Sequence, residues 1–476
     1  MPIRPLFAVA LSLAAHAAIA SDAPVARYTL RYDPHDATMA VRVCSDAATS
    51  ELHLRGDRGA SSVIDAMHRD GAQAPERDGD RWTARDWRSG DCIDYRAALG
   101  KLSDAKRDND LAKRGDTITL DPGGWLLRVD GDGAWDEARV ELPPGYSIAA
   151  PWHPLPADGK ALRFRIPRTP ADWISRVAIG RFATTSVAVA DGTLRVAILG
   201  DVDAAERSKL EAWIARAGHA PETAYGKFPL ADASILIAPI RDRSARAVVF
   251  GESTRGQGHT LTLLLDPTRS AADLDADWVA VHELSHTFHP YLDDRGSWLA
   301  EGLATYYQNV LRARAGLLSP AQAWEQLDAG FERGRSSTGA HEDTLDAVAS
   351  AIDRRPEFGR IYWSGTAFWL ETDLALRRAS NDTLGVDEAL RRFDACCLPD
   401  QHGWTPEDFV AKLDALIGSE VFRRNFTTYS KRTDFPDLKA TYAALGIARV
   451  GDALHYDDAA PAAGVRRAIM APPAAR

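Results

Sequence analysis

The chain has 476 residues, of which 45% are apolar and 26% charged, with a formal net charge of −10. A chain of that length divides into about three domains, and this apolar share builds cores of ordinary size. The acidic balance and the lack of a basic stripe argue against a nucleic-acid partner, and no apolar run after the amino terminus reaches the roughly 18 residues that a stable membrane span needs.

Met1–Arg4 carries one basic residue, Leu6–Leu13 is largely apolar, and Ala18-Ile19-Ala20 has the A-x-A form before Ser21. Residues 1–20 therefore read as a secretory signal peptide cut after Ala20, which implies a periplasmic or secreted protein. From 21 to 190 short alternating runs follow one another: Arg27–Tyr32, Met39–Cys44, Thr117–Leu120, Trp125–Val129, Ala138–Leu142, Leu162–Ile166 and Val177–Phe182. Clusters of Gly, Pro and Asp separate them, which is the pattern of a β-sandwich-like domain. The charge-rich stretch 104–116 reads as a solvated loop or frayed helix. Cys44 and Cys92 fall in this domain, and an exported protein would pair them as a structural disulfide. Cys396 and Cys397 are adjacent; a bond between them would be strained, and their pairing stays open.

Residues 191–270 change pattern. Leu194–Leu199 reads as a strand, Asp203–Ala217 as a helix, and Ser234–Ile240, Ala247–Phe250 and Thr260–Leu265 as strands, giving a small α/β layer. Over 271–458 helical periodicity dominates: Trp278–His289, Ser297–Arg314, Pro320–Arg333, Thr344–Ile352, Tyr362–Arg378, Val386–Cys396, Pro406–Ile417 and Val421–Tyr429. The tail 459–476 is rich in Ala, Pro and Arg and is expected to be disordered.

The segment Asp277–Tyr291 contains His282-Glu283-Leu284-Ser285-His286, an H-E-x-x-H pattern. On a helix, positions i and i+4 share a face, so both imidazoles can point at one ion, with Glu283 beside them. Asp275 or Asp277 would cap the helix and Pro290 end it. Glu301 is the one acid in the apolar helical segment Ser297–Tyr307. A catalytic zinc takes three protein ligands and leaves one position open; His282, His286 and Glu301 meet that count. Asp293 or Asp294 are the alternative third ligands, in a turn that reads more simply as solvated. His289 reads as a helix-end residue. The ion would lower the pKa of a water, and Glu283 would take its proton and pass it to the leaving amine. A purely structural helix pair would have to bury two His and two Glu with no ion to offset the cost.

The pattern at 282–286, followed by Trp298-Leu299-Ala300-Glu301-Gly302 and Tyr306-Tyr307, resembles the gluzincin peptidases. The likeness is greatest to the glycyl aminopeptidase family, relatives of the leukotriene hydrolase and aminopeptidase N group. Tyr362-Trp363-Ser364-Gly365 extends it. The metzincin pattern is excluded, because it needs Gly at 289 and His at 292, where this chain has His289 and Leu292. The resemblance implies a thermolysin-like catalytic domain with one zinc ion and a peptide or protein substrate. It assigns Tyr362 to stabilising the tetrahedral intermediate. It also implies a substrate-edge segment before the zinc helix. The candidate is Gly251–Thr260, with Gly256, Gln257, Gly258 and His259 as substrate-binding residues. Three departures stand out. The spacer between His286 and Glu301 is 14 residues, shorter than is usual. Ser364 stands where lysine is common. The stretch 256–259 lacks the glutamate that holds a free amine in aminopeptidase relatives, and Glu252 lies earlier.

The expected fold is thus α+β and multidomain: an N-terminal β-sandwich-like domain, then a catalytic domain of a small α/β layer plus a helical subdomain. The expected function is an exported zinc-dependent peptidase, with amino- versus endopeptidase mode open. The alternatives are a non-catalytic binding or scaffold protein on the same fold, and a zinc hydrolase of a non-peptide bond. Oligomeric state is not legible in the sequence.

Overall fold

A computed structural model describes residues 23–57, 59–104, 113–241, 246–338, 342–355, 357–399 and 402–472. The signal-peptide reading, and most of the stretch 104–116, lie outside these residues.

The first region is all β. Arg27–Asp33 alternates exposed and buried positions, putting Tyr28, Leu30 and Tyr32 on one face, as a half-buried strand requires. It pairs antiparallel with Thr38–Cys44 and parallel with Trp135–Glu141 at the centre of a seven-stranded sheet. Two four-stranded sheets complete the layer opposite, built on Thr49–Arg55 with Arg81–Trp87, and on Thr117–Leu120 with Val177–Gly180. Leu30, Val41, Leu54, Trp82, Trp125 and Phe164 fill one core between them. Cys44 and Cys92 are register partners on neighbouring strands and are disulfide-bonded.

A second core spans everything that follows. Its sheet has five strands in the order Ala183–Val189, Gly192–Ile198, Asp232–Pro239, Thr260–Leu265, Val248–Thr254. The three middle strands are parallel and both edges antiparallel. Helix Ala204–Tyr225 covers one face, starting at a capping box between Asp203 and Glu206. The sequence reading ended this helix before Gly218. Gly218 is instead a packing residue, since a Cβ there would lie 2.7 Å from Val189 Cγ1 and 2.8 Å from Leu194 Cδ1.

The helical part also departs from its predicted bounds. Trp278–His289 is not one α-helix: Ala271–Ala276 ends first, Val279–Ser285 begins afresh, and His286–Phe288 tightens to a 3₁₀ turn. Asp277 joins the two, accepting from the Val279 and Val248 amides at 2.8 and 3.1 Å. The tail is not disordered over its described length. Helix Ala463–Met470 buries Ile469 and Met470, and the Ile469 carbonyl accepts from Arg314 Nε at 2.8 Å. Its alanines favour helix, and its apolar residues sit one turn apart on one face. Cys396 and Cys397 are bonded to each other at the end of helix Val386–Cys397. Among the described residues no helix is long and apolar enough to cross a membrane.

Candidate metal centre

Three elements converge on one point. His282 lies on Val279–Ser285, His286 opens the 3₁₀ turn, and Glu301 sits in the first turns of Ser297–Arg314. One ligand atom from each falls within 4.8 Å of the others. His282 Nε2 is 3.2 Å and His286 Nε2 3.7 Å from Glu301 Oε2. The short spacer is closed by the turn Asp294–Gly296, where Asp293 accepts from the Gly296 amide at 3.1 Å. Asp293 and Asp294 are thus used in that turn and are not among the converging groups.

Outer partners fix both imidazoles. The Gln308 amide oxygen lies 2.9 Å from His282 Nδ1, so Nδ1 carries the proton facing it and Nε2 faces the centre. His289 Nδ1 lies 2.7 Å from the Pro290 carbonyl, which can only accept. Its neutral ring must therefore accept at Nε2, 3.0 Å from His286 Nδ1. His286 then donates from Nδ1 and presents an unprotonated Nε2. Arg255 locks the turn behind, donating to the backbone carbonyls of His286 and His289. Such partners orient metal-bound imidazoles.

The electrostatics agree. Burial drives His286 well below the usual histidine range, so it is neutral. Burial also opposes the charge on His282, but the hydrogen bond to Glu301 and the neighbouring carboxylates outweigh it and raise its pKa. Glu301 is held below its ordinary value: burial raises it, but the two histidines and the Tyr362 hydroxyl overcome that. Glu283 is different. Burial, helped by the charges of Glu301 and Glu252 and opposed by His282, raises it to about 7. Two nitrogen ligands, one ionised carboxylate and satisfied outer partners fit zinc.

Glycines set the spacing of the other groups. Gly251 lies on the edge strand Val248–Thr254; a Cβ there would lie 2.4 Å from Val279 Cγ1, 2.8 Å from Glu283 Cγ and 2.9 Å from its Oε1. The strand backbone therefore rests directly on Glu283. Helices Ser297–Arg314 and Phe358–Ala379 touch at Gly302 and Gly365, where a Cβ on Gly302 would lie 2.4 Å from Gly365 Cα. That contact brings Tyr362 to the centre. Its ring stacks on His282 at 5.9 Å and 15°, and its hydroxyl donates to Glu301.

His282, Glu283, His286, Glu301 and Tyr362 are thus brought together. Gly256, Gln257, Gly258 and His259 are not. They form the turn after the edge strand and pack against the N-terminal region. The Gly256 amide donates to Ile174 O at 2.8 Å, Gln257 Oε1 accepts from Trp152 Nε1 at 2.8 Å, and a Cβ on Gly258 would lie 2.4 Å from Pro151 O. Close backbone approach is real there, but to the protein itself. The part of the segment that faces the centre is the strand before it, at Gly251. Sequence reasoning missed Gln308, His289 as an orienting group, and Arg255. Two were within reach of helix geometry: Gln308 is seven residues from Glu301, hence on its face, and His289 is three from His286.

The family model for the M61 glycyl aminopeptidases matches residues 282–367. No curated protein sequence matches the chain. Among solved structures, an aminopeptidase N family protein from Idiomarina loihiensis is similar at a TM-score of 0.67 and 13% identity, over 89% of this chain and 78% of that one. An M1 zinc metallopeptidase from Deinococcus radiodurans is similar at 0.53 and 14%, over 87% and 93%. Yeast LTA4 hydrolase with bestatin is similar at 0.55 and 14%, over 87% and 68%. The chain has a multidomain α+β fold like that of these structures, and residues 282–367 are similar to the M61 glycyl aminopeptidase family.

Proposed function

With that fold and that segment as premise, we propose that the chain is an exported peptidase that holds one zinc ion on His282, His286 and Glu301. The observation that carries the reading is the outer hydrogen bonding, which turns Nε2 of both imidazoles onto the Glu301 carboxylate. Zinc bound there supplies a Lewis acid that acidifies water and polarises a carbonyl. Glu283, raised to about 7 by burial, is poised to take a proton from the attacking water near neutral pH and hand it to the leaving amine. The Tyr362 hydroxyl, beside Glu301 and His282, is placed to donate to a developing oxyanion. The edge strand Val248–Thr254 offers backbone groups on its free side to an extended peptide.

An aminopeptidase mode is supported by the M61 match and by Glu252. It follows Gly251 on the edge strand, and its charge is felt at Glu283. Arg176 holds it through two bonds of 2.9 and 3.0 Å, so a free substrate amine would share it with that guanidinium. Export rests on residues 1–20 and on the two disulfides.

The test is zinc content together with turnover of a peptide library carrying free and blocked amino termini. A Glu283→Gln variant is expected to keep zinc and lose at least about a thousandfold in kcat. A Glu283→Gln variant as fast as the parent refutes the mechanism. Cleavage of blocked and free peptides at equal rates refutes the aminopeptidase mode alone. A secreted protein whose first residue is not near Ser21 refutes the export reading.

A further inference from the structure

Beside the metal centre lies a cavity of about 480 Å³, with Trp278, Thr305, Gln308, Asn309, Arg333 and Tyr362 among its walls. It adjoins the centre through its walls: Gln308, Trp278 and Tyr362 all touch His282, and the Tyr362 hydroxyl reaches Glu301. Thr305, Gln308 and Asn309 follow Glu301 by four, seven and eight residues. They therefore continue the ligand's own helix face, and the cavity runs along that helix away from Glu301.

Among the described residues its walls carry one cation, Arg333, and no Asp or Glu. Arg333, on the exposed side of its helix, holds its guanidinium 4.9 Å from the Trp363 ring centre. Behind the floor a second cation, Arg312, is wholly buried; it donates to the Ala276 carbonyl and the Gln326 amide oxygen, and both those residues line the cavity. The floor is also polar. Thr305 is 2% and Asn309 1% exposed, yet Thr305 Oγ1 and Asn309 Oδ1 have no hydrogen-bond partner among the described residues. A cationic occupant would face Arg333 with no carboxylate among the described wall residues to offset it. Trp278 and Phe358, 37% and 52% exposed, offer apolar flanks for a short methylene stem.

We propose that this cavity is the subsite for an acidic side chain of the peptide, next to the cleaved bond, with Arg333 receiving the carboxylate. The proposal rests on the peptidase reading and adds the residue class that the enzyme selects. Arg333 is a specificity residue. It touches none of the ligands or Glu283, and its exposed position makes its substitution tolerable to the fold.

The experiment uses the zinc-loaded full chain and fluorogenic peptides in which the two residues flanking the cleaved bond are varied one at a time. At one of the two positions Glu is expected to exceed Gln by about tenfold in kcat/KM, as an unpaired guanidinium discriminates charge from its isostere. Raising the salt should shrink that ratio. Arg333→Gln is expected to bring the ratio near one while kcat/KM for the alanine peptide stays within about twofold. Gln equal to or better than Glu at both positions overturns the inference, as does a ratio that survives Arg333→Gln. In either case the peptidase reading stands, since peptides are being cleaved. If no peptide is cleaved, both fall.

Discussion

Gly251→Ala adds one methyl group where the edge strand rests on Glu283. The new Cβ would lie 2.4 Å from Val279 Cγ1, 2.8 Å from Glu283 Cγ and 2.9 Å from Glu283 Oε1. Carbon atoms sit comfortably at about 3.5–4.0 Å, so roughly 1 Å must be found. Val279 and Glu283 lie one turn apart on the same short helix, and neither can yield without moving the other. Either the strand lifts or the Glu283 side chain swings. Overpacking of this kind costs about 1–3 kcal/mol of stability, and a displacement of about 1 Å at a catalytic group costs about a hundredfold in rate. None of the zinc ligands is among the atoms struck, so zinc content should stay at the parental level. The assay combines metal analysis, urea denaturation and kcat/KM on one peptide, with Ser253→Ala on the same strand as control. A Gly251→Ala enzyme with parental kcat/KM would refute the claim that the strand backbone positions the base. One that loses zinc would show that the effect reaches the ligands instead.

Three further outcomes follow from the same geometry. Gln308→Leu removes the acceptor for His282 Nδ1 and should weaken zinc about 10–100-fold, measured by competition with a chelator; Gln308→Glu should hold it near the parental value. Gly302→Ala puts a Cβ 2.4 Å from the Gly365 backbone, so it should cost about 1–3 kcal/mol in urea denaturation and lower kcat by separating Tyr362 from Glu301; an unchanged midpoint would refute the close-contact argument. In metal-free protein, Glu283→Gln should stabilise the fold at pH 8 and do little at pH 4. Glu283 stands at about 7 when folded against about 4.3 unfolded, so the native state binds more protons between those values and loses stability as pH rises through them, on the order of 3 kcal/mol in all. Denaturation curves of both proteins at the two pH values check it, and a pH-independent difference would contradict it.

How much of this was legible in the sequence depended on how local the signal was. The H-E-x-x-H spacing and the acid in the next apolar helix are helix-periodic facts, and the three side chains do meet. Tyr362 lies 61 residues from Glu301; periodicity cannot join such positions, and only the family likeness pointed to it. The join itself is a glycine pair, and glycine reads in sequence as a breaker or a turn. The same ambiguity bears on the substrate segment. Gly256 and Gly258 do allow close backbone approach, but what approaches is Ile174, Trp173 and Pro151 from another domain. It also shortened the helix at Gly218. The tail failed for the opposite reason: its alanines are neutral in a hydropathy reading, and Ile469 and Met470 are too few to announce a face until Arg314 supplies the anchoring bond.

A structural role for the cluster would be served by less than is present. The pairing of His282 with Glu301, closed by Gln308 and Tyr362, already satisfies the buried charges on that side. Glu283 adds only its charge, felt at His282, and no hydrogen bond to that pair. The carboxylate has no cation within ion-pair distance among the described residues other than through the charge of its neighbour His282. Its recorded hydrogen bond is to the backbone at Ser253, and it is pressed by a strand whose only room for it is a missing side chain. By the linkage above it costs the fold on the order of 3 kcal/mol at alkaline pH, a large part of the margin a domain has. A glutamine of the same shape would keep the packing without that cost. What glutamine cannot do is accept a proton, and that is the property the proposed mechanism asks of this residue.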